Sequence, residues 1–277
     1  MPELPEVESL RRILARSATG RTIVRATIAD ARLRRAIAPE LAAEIAGRTI
    51  MKLDRRAKYL ILELSGGLAM LVHLGMSGSL THRDAAFDSG SFNPRHDHVA
   101  FEFDDGTHLV YNDPRRFGLM KLVALDAIPA LAELRAIGPE PLGRDFNARY
   151  LADMARGKRV AIKNLIMDQR VVAGIGNIYA SEILFRAAVR PTRRSGRVTR
   201  AELERIVAAT GPILKAAIGS RGTTFRSYRD SRGQPGRFAE RLMVYGREDQ
   251  PCLVCATPIR NVTIGNRASF FCPNCQR

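Results

Sequence analysis

The chain ends in two Cys-x-x-Cys pairs, and this spacing constrains the fold more than any other feature of the sequence. Cys252 and Cys255 are followed, after sixteen intervening residues, by Cys272 and Cys275, and the 277-residue chain contains four cysteines in total. Four thiolates at this spacing are typical of a closed tetrahedral zinc site, which is structural because no coordination position stays open. A pair of disulfide bonds is the alternative, and a reducing cytosol disfavours it.

The segment between the cysteine pairs predicts a β-hairpin. The stretch "IRNVTIGNRASFF" places a Gly265-Asn266 turn between two short runs of strand-forming residues. Arg267 then lies directly after the turn, beside the hairpin tip. Zinc alone does not indicate function, because zinc ribbons bind proteins as often as they bind nucleic acids.

The charge of the chain favours a polyanionic partner. Lys and Arg number 44 against 28 Asp and Glu, giving a formal net charge of +16. Nucleic acid is the first expectation, because neutralising phosphates releases condensed counterions, although a solubilising surface would give the same composition. The sequence has neither an uninterrupted apolar run of about 18 residues nor the layout of a signal peptide, so we expect a cytoplasmic protein without a membrane partner.

The first half of the chain predicts a helix followed by short strands. Apolar residues recur at helical spacing between Pro5 and Ala18. Strands are predicted at Tyr59–Leu64, Ala69–Leu74, Val99–Phe103 and His108–Tyr111. Ser65-Gly66-Gly67 and Asp105-Gly106 are hairpin signals, and such a meander suggests a sandwich or a barrel-like domain.

The second half predicts helices. The stretch "IGPEPLGRDFN" at 137–147 has the composition of a linker. Helices are predicted at Ala148–Arg156, Ile162–Asp168, Ile178–Ala187 and Thr199–Ala217, the last with Thr199 as its cap and Glu202 three residues on. Ser220–Phe238, rich in Arg, Ser and Gly, predicts an exposed, mobile loop. The expected domains are therefore 1–136, a linker at 137–147, 148–237 and 238–277.

Four further segments carry residue types suited to binding DNA, and each also has a plain structural interpretation. In "VVAGIGNIYASEILFRA" a Gly-rich turn leads into a helix near Asn177, which suits a phosphate or simply a tight turn. In "YNDPRRFGLM" Phe117 is either a wedge between bases or a core residue, and Met76 of "HLGMSGSL" presents the same choice. Lys58 of "RRAKYL" is a phosphate ligand, an amine nucleophile or a solvated strand-edge lysine. The five histidines show no spacing that demands a metal, which leaves them structural or phosphate-contacting.

Together these segments resemble the bacterial formamidopyrimidine-DNA glycosylase family, the enzymes that excise oxidised purines such as 8-oxoguanine. The resemblance covers the whole chain in the family's order: "PELPEVE", "RRAKYL", "HLGMSG", "NDPRRFG", "GIGNIYASE" and the cysteine finger ending "CPNCQ". It implies an α+β fold, with an N-terminal β-sandwich that begins with a helix, a helical domain with a helix-two-turns-helix motif and a four-cysteine β-hairpin zinc finger. DNA would lie in the cleft between the domains.

The resemblance also implies roles for individual residues. Pro2 would be the Schiff-base nucleophile, Glu3 the proton donor and Glu6 a residue that positions the sugar or a water. Lys58 and Arg267 would contact phosphates and serve β- and δ-elimination, respectively. Met76, Arg115 and Phe117 would fill the gap left by the flipped nucleotide, with Arg115 facing the orphaned cytosine. Further DNA contacts would come from His98, Arg116, Lys163, Asn177 and Tyr245, and the loop at Ser220–Phe238, with Thr223, Thr224 and Tyr228, would close over the extruded base.

These roles make chemical sense of the unusual start of the chain. Removal of Met1 would leave Pro2 with a free secondary amine, and a reference α-amino pKa of roughly 8 gives a usable neutral fraction near pH 7. The positive end of the following helix disfavours the ammonium form, whereas Glu3 and Glu6 favour it, so the sequence does not give the sign of the net pKa shift. The terminus itself would be the active site.

Two alternatives are considered. One is the endonuclease VIII branch, which removes oxidised pyrimidines by the same chemistry and typically has Gly where this chain has Leu4. The other is a non-catalytic zinc-ribbon DNA-binding protein, which the intact Pro2-Glu3 pair disfavours. We expect one structural zinc ion, no organic cofactor, and a monomer that acts on duplex DNA with an oxidised purine opposite cytosine, in the bacterial cytoplasm at the nucleoid.

Overall fold

The computed structural model describes residues 2–84, 93, 95–224 and 230–277, which form two compact units. The first unit comprises Met1–Arg135 and Ile218–Arg237, and the second comprises Ala136–Ala217 and Phe238–Arg277. The segment 218–237 thus groups with the N-terminal residues and the cysteine finger groups with the helices. The four-part division predicted from the sequence stays a prediction.

The first unit contains a β-sandwich of two antiparallel four-stranded sheets. Its strands are β1 (Ile23–Ile28), β2 (Ile50–Arg56), β3 (Tyr59–Leu64), β4 (Leu68–His73), β5 (Ser79–Arg83), β6 (Asp97–Phe103), β7 (His108–Asn112) and β8 (Leu119–Ala124). One sheet has the order β1-β6-β7-β5 and the other β2-β3-β4-β8. The four predicted strands correspond to β3, β4, β6 and β7, so the predicted sandwich is confirmed.

Inward-facing side chains of both sheets build one core. Leu60, Leu62, Val72, Phe101 and Tyr111 are fully buried in it. Hairpins close at the two predicted turns, where Gly66, Gly67 and Gly106 adopt positive φ, a backbone conformation that glycine adopts without steric cost.

Two helices pack against this core. The first, α1 (Leu4–Ser17), buries Val7, Leu10 and Leu14, the stripe that the sequence spacing predicts. The short α2 (Leu41–Ile45) buries Leu41 and Ile45. Burial of α1 fixes the direction of the residues that precede it.

The second unit is helical and contains α3 (Ala148–Ala155), α4 (Ile162–Met167), α5 (Asn177–Arg186) and most of α6 (Arg200–Gly219). The last two residues of α6 belong to the first unit. Asn147 caps α3 by accepting a hydrogen bond from the Tyr150 amide at 3.0 Å. The predicted capping box of α6 is present: the Thr199 amide donates to Glu202 at 2.8 Å and the Glu202 amide donates to the Thr199 hydroxyl at 3.3 Å. The predicted helices are confirmed to within two residues at each end.

The cysteine finger is built on the predicted hairpin. β9 (Arg260–Ile264) pairs antiparallel with β10 (Arg267–Phe271), and Arg267 lies opposite Ile264 across the turn. Among the helices that the structure describes, none combines the length and the apolar character needed to cross a membrane.

The described residues of Ser220–Phe238 match the predicted exposed loop only in part, because 232–235 are exposed whereas others are buried. Thr223, Asp230 and Ser231 are almost completely buried, and Thr223 forms a β-bridge with Arg237. Asp230 can be buried in this loop because its carboxylate accepts hydrogen bonds from backbone amides, among them the Gln234 amide at 2.9 Å. Tyr228 lies outside the described residues.

Candidate active site and nucleic-acid interface

The start of α1 holds a buried proline and two buried carboxylates. Pro2 is buried, and Glu3 and Glu6 are each 2% exposed. Glu6 lies one turn into the helix, where one of its oxygens accepts a hydrogen bond from the Glu3 amide at 2.9 Å. Anionic side chains are favoured at a helix N-terminus, because the unpaired amides there carry partial positive charge.

The second oxygen of Glu6 binds a distant segment of the chain. It accepts a hydrogen bond from the Thr223 amide at 2.7 Å. The neighbouring Gly222 has φ +82°, and a Cβ atom at that position would lie 2.8 Å from the same carboxylate oxygen. Glycine is therefore required for this approach, and Glu6 joins the N-terminus to the first residues of the predicted lesion loop.

Lys58 lies in the two-residue turn between β2 and β3. The residue is only 6% exposed, so the interpretation as a solvated strand-edge lysine does not hold. Ala57, the other turn residue, is buried with φ 52°, a region that L-residues enter only at a cost in free energy.

His73, at the end of β4, is one of the histidines for which the sequence left a structural or a phosphate-contacting role open, and it opens the motif that contains Met76. Its Nδ1 accepts a hydrogen bond from the Gly75 amide at 3.0 Å, which leaves the proton of the neutral ring on Nε2. Burial and the positive charges of Lys58 and Arg34 lower the pKa of His73 to about 4. At neutral pH the ring is thus a neutral N–H donor in a basic environment.

Met76 and Phe117 occupy two adjacent turns and are both exposed, to 40% and 44% respectively. This exposure excludes the core interpretation of both side chains. The Arg115 guanidinium lies 4.7 Å from the centroid of the Phe117 ring, a cation–π distance. Gly75 allows the two turns to approach closely. It has φ +60°, and a Cβ atom at this position would lie 2.4 Å from the Phe117 carbonyl carbon.

Asp113, which we did not single out in the sequence, holds these two turns together. Its carboxylate is fully buried and accepts hydrogen bonds from the Ser77 hydroxyl at 2.6 Å and from the Gly118 amide at 2.8 Å. The Arg115 amide lies 3.3 Å from the same carboxylate. One side chain therefore orients the residues on either side of the exposed Phe117.

The remaining candidates in the first unit are held internally. Arg116 has φ 58° and forms an ion pair with Asp30 at 2.7 Å. His98 is fully buried and its Nε2 lies 2.8 Å from the Asp113 carbonyl oxygen. Both side chains therefore support the turn, and the DNA contacts predicted for them stay predictions.

In the second unit, several candidates gather around the zinc-finger hairpin. The Nδ2 of Asn177, the first residue of α5, donates to the Ala268 carbonyl at 3.0 Å and lies 3.4 Å from the Tyr245 hydroxyl. Lys163 is fully buried, and its ammonium donates to the Ala268 carbonyl at 3.0 Å and to the Ser269 hydroxyl at 2.7 Å. Arg267, directly before Ala268, is exposed. Lys163 thus supports the strand that presents Arg267.

Tyr245 is fixed by a carboxylate that the sequence reasoning also missed. Glu182, buried on α5, accepts hydrogen bonds from the amides of Met243, Val244 and Tyr245 at 2.8, 3.0 and 2.9 Å. Burial raises the pKa of Glu182, against the lowering effect of these hydrogen bonds. Its position in "NIYASE" gave no signal of this role, because its partners lie about sixty residues away.

The four cysteines converge as the spacing predicts. All four sulfur atoms lie within 4.8 Å of one another, and the pairs Cys252–Cys275 and Cys255–Cys272 are 3.9 and 3.4 Å apart. Zn–S bonds of about 2.3 Å in a tetrahedron place sulfur atoms roughly 3.8 Å apart, so the cluster fits one zinc ion with four thiolate ligands. The thiols are not joined in disulfides. Hydrogen bonds from Thr257 and Asn274 lower the pKa of Cys255 to about 5, whereas burial raises the pKa values of Cys272 and Cys275.

Comparison with known proteins identifies the architecture. Three family profiles match in succession: the formamidopyrimidine-DNA glycosylase N-terminal domain at residues 1–120, the formamidopyrimidine-DNA glycosylase H2TH domain at 137–229 and the zinc finger found in FPG and IleRS at 249–277. The formamidopyrimidine-DNA glycosylases of Thioalkalivibrio sulfidiphilus and Cereibacter sphaeroides are 46% and 44% identical to this chain, with all of each chain covered.

Solved structures agree. A point mutant of the Lactococcus lactis FPG protein, in a complex with DNA containing Fapy-dG, matches with a TM-score of 0.91 at 30% identity over the full length of both chains. The MutM (FPG) protein of Thermus thermophilus matches with a TM-score of 0.86 at 36% identity, covering 99% of this chain and 98% of that one. The chain therefore belongs to the formamidopyrimidine-DNA glycosylase family, the DNA glycosylases with AP lyase activity that act in base excision repair.

Proposed function

We propose that Pro2 is the nucleophile with which this glycosylase attacks C1′ of a damaged deoxynucleotide. The observation that carries the proposal is the joint burial of Pro2, Glu3 and Glu6 at the start of α1. Pro2 becomes the chain end once Met1 is removed, and chain ends generally fray into solvent unless something holds them. Here Glu6 holds it, through the Glu3 and Thr223 amides.

Once Met1 is removed, Pro2 carries a free secondary amine, and the reaction balances with the groups at this new terminus. The lone pair of the neutral Pro2 nitrogen forms a bond to C1′ while the bond from C1′ to the base breaks, and the base leaves with that electron pair and takes up a proton. The nitrogen then loses its own proton and expels O4′ from C1′, and Glu3 protonates O4′ as the sugar ring opens. The product is an iminium ion between Pro2 and C1′.

Elimination follows from the iminium ion. Its positive charge acidifies C2′, so loss of a C2′ proton expels the 3′ phosphate as β-elimination, and a second proton loss expels the 5′ phosphate as δ-elimination. Hydrolysis of the remaining iminium ion returns the free amine. We assign Lys58 to the β-step and Arg267 to the δ-step, because the resemblance implies that both side chains contact phosphates. Asn177 and Tyr245 contact the flanking backbone in the same proposal.

Met76, Arg115 and Phe117 fill the space left by the flipped nucleotide. Extrusion of a base costs a few kcal/mol, and side chains inserted into the stack recover part of this cost. The guanidinium of Arg115 offers adjacent N–H donors that match the O2 and N3 acceptors of cytosine, which supports a preference for lesions opposite cytosine. Thr223 and Thr224, with Tyr228, form the part of the loop assigned to the extruded base.

The substrate class is duplex DNA containing an oxidised purine. The FPG protein of Lactococcus lactis has been solved with DNA containing Fapy-dG and also with DNA containing an oxidised pyrimidine, at 30% identity to this chain. One active site per chain makes a monomer sufficient, and light scattering of the complex with a single-lesion duplex tests for a one-to-one mass. Chromosomal DNA as substrate implies the bacterial cytoplasm as the site of action.

Borohydride trapping tests the proposal. The protein is incubated with duplexes that carry 8-oxoguanine or an oxidised pyrimidine opposite cytosine or adenine, and the iminium ion is then reduced. We expect a covalent adduct that forms fastest with 8-oxoguanine opposite cytosine and maps to the peptide beginning at Pro2. Binding without any adduct, or an adduct formed only with the oxidised pyrimidine, would refute the proposed substrate and mechanism.

Replacing Pro2 by Gly gives the first prediction. Glycine supplies a primary amine, whose imine is cationic only when protonated, whereas the iminium ion of a secondary amine is always cationic. We therefore expect the Pro2→Gly variant to lose trapping while its dissociation constant for lesion DNA changes little. Equal loss of binding and of trapping would contradict the assignment of Pro2 as the nucleophile.

A further inference from the structure

The turn that carries Lys58 is strained and is held by a neighbouring side chain. Ala57 has φ 52° and is 1% exposed, so this conformation is maintained by its surroundings and not by its own preference. Arg55, two residues earlier on β2, donates from Nη1 to the Ala57 carbonyl at 2.8 Å. The Arg55 side chain is 11% exposed, which makes this a well-protected hydrogen bond.

Arg55 is in turn oriented by a carboxylate on α1. Its Nε donates to Glu8 Oε2 at 3.2 Å, and the Glu8 side chain is only 9% exposed. The planar guanidinium therefore joins Glu8 to the Ala57 carbonyl, a geometry that a lysine ammonium does not reproduce. Glu8 lies on the same helix that follows Pro2 and Glu3.

We propose that Arg55, oriented by Glu8, is a positioning residue that fixes Lys58 relative to the nucleophile. The proposal rests on the function assigned above, because it acts through Lys58. Arg55 sets the backbone of the turn from which Lys58 projects, and Glu8 ties that setting to the helix whose start is Pro2 and Glu3. Lys58 is thereby placed by the backbone before any phosphate arrives.

A second arginine provides a matched control. Arg11 also joins α1 to β2: it donates to Glu8 at 2.8 and 3.0 Å and to the Leu53 carbonyl at 3.1 Å. The hydrogen bonds of Arg11 do not include the turn. Loss of Arg11 therefore weakens the packing of helix on strand, as loss of Arg55 does, without releasing the Ala57 carbonyl.

The test is a double-mutant cycle on strand cleavage. The full-length Arg55→Gln, Arg11→Gln and Lys58→Ala variants and the Arg55→Gln/Lys58→Ala double variant are mixed in excess with a duplex that contains one abasic site, and single-turnover cleavage rates are measured at saturating protein. We expect Arg55→Gln to slow cleavage by about tenfold or more, since small misplacements of reacting groups are costly, and Arg11→Gln to stay within about twofold of wild type. In the Lys58→Ala background, Arg55→Gln should change the rate less than about twofold, because the group it positions is absent.

The outcomes separate this proposal from the function on which it rests. Slowing by Arg55→Gln that is equal in the presence and absence of Lys58, or matched by Arg11→Gln, would overturn the positioning role while leaving Lys58 in place. Wild-type cleavage by Lys58→Ala would remove the assigned role of Lys58 and the positioning role with it. If Arg55→Gln does not fold, Glu8→Gln and Arg55→Lys enter the same cycle, and each should slow cleavage less than Lys58→Ala and only when Lys58 is present.

Discussion

Buried carboxylates, each satisfied by named donors, organise the functional residues. Glu6 binds two backbone amides, Glu182 binds three, and Asp113 binds amides and a hydroxyl. Glu8 instead binds the guanidinium groups of Arg11, Arg12 and Arg55. An unpaired buried charge is strongly destabilising, so each of these carboxylates specifies the position of its donors.

Glu8 gives a prediction about stability in acid. Burial opposes ionisation, but hydrogen bonds from Arg11 and Arg12, together with the charges of Arg11 and Arg55, lower the pKa of Glu8 from 4.5 to about 2. A lowered carboxyl pKa contributes stability that is fully present above pH 4.5 and is lost as the pH falls from 4.5 to 2. We expect the free energy of unfolding of Glu8→Gln to depend less steeply on pH in this window than that of wild type.

Urea unfolding between about pH 2 and pH 6 measures this dependence. Glu40→Gln, which changes an exposed carboxylate, is the control and should follow the wild-type curve. Identical slopes for Glu8→Gln and wild type would mean that the ion cluster does not lower the pKa of Glu8.

At the scale of elements, the sequence predicted the features that depend only on interactions between nearby residues. The hairpins with Gly-containing turns, the helix caps and the cysteine hairpin follow from nearby residues. β1 and β2 were missed because their charged, partly exposed faces weaken the alternation, as in "IMKLDRR". β5 and β8 were not predicted either, because they are stabilised by pairing with strands that are distant in the sequence.

The candidate site likewise contains residues that local motifs indicated and supporting contacts that they did not. The sequence placed Pro2 and Glu3 beside the start of a helix and Phe117 in a turn, as the structure does, and the roles of these residues stay predictions. Their supports were not predictable, because Asp113 binds Ser77 from 36 residues away and Glu6 binds Thr223 from 217 residues away. The internal bonds of His98 and Lys163 are likewise tertiary contacts that residue type alone does not reveal.

Asp113 gives a prediction for the pair of exposed turns. Asparagine at this position keeps one acceptor but turns an N–H donor toward amide N–H groups, so we expect Asp113→Asn to lose about 2–4 kcal/mol of stability. Because Arg115 and Phe117 lose their support, extrusion of the damaged nucleotide should slow, as measured by the fluorescence of a 2-aminopurine placed next to it. Asp105→Asn, a surface carboxylate that binds Thr107 in another hairpin, is the control and should affect neither measurement.

The zinc finger gives a prediction in which DNA binding is weakened while the chemical step is retained. Cys272→Ser removes one of four thiolate ligands, so we expect metal analysis to show loss of zinc and DNA affinity to fall about tenfold or more. At saturating protein, trapping at Pro2 should persist, because the finger positions DNA and does not supply the amine. Undiminished DNA binding by the metal-free protein would refute this role, and wild type stripped of zinc and reloaded is the control.

At the scale of the whole molecule, net charge and local charge have separate effects. The formal charge of +16 attracts DNA of any sequence, whereas a few placed cations determine how many phosphates are neutralised. Many arginines of the described surface are already paired, as Arg25 is with Glu102 at 2.7 Å. Such pairs add solubility and little affinity for DNA.

The dependence of binding on salt measures the number of neutralised phosphates. If Arg267 contacts one phosphate, Arg267→Ala should reduce the slope of log K against log salt by about 0.9. Arg25→Ala removes the same charge from an ion pair and should leave the slope unchanged. Equal slopes for Arg267→Ala and wild type would remove Arg267 from the phosphate contacts.

The hydrogen bond from the Thr223 amide to Glu6 has a consequence for how the enzyme is made. The end of the polypeptide that leaves the ribosome first is completed by a residue synthesised 217 positions later. A nascent chain therefore exposes Glu6 long before Thr223, its partner, has emerged from the exit tunnel. The surroundings of Glu6 are therefore complete only after most of the message has been translated.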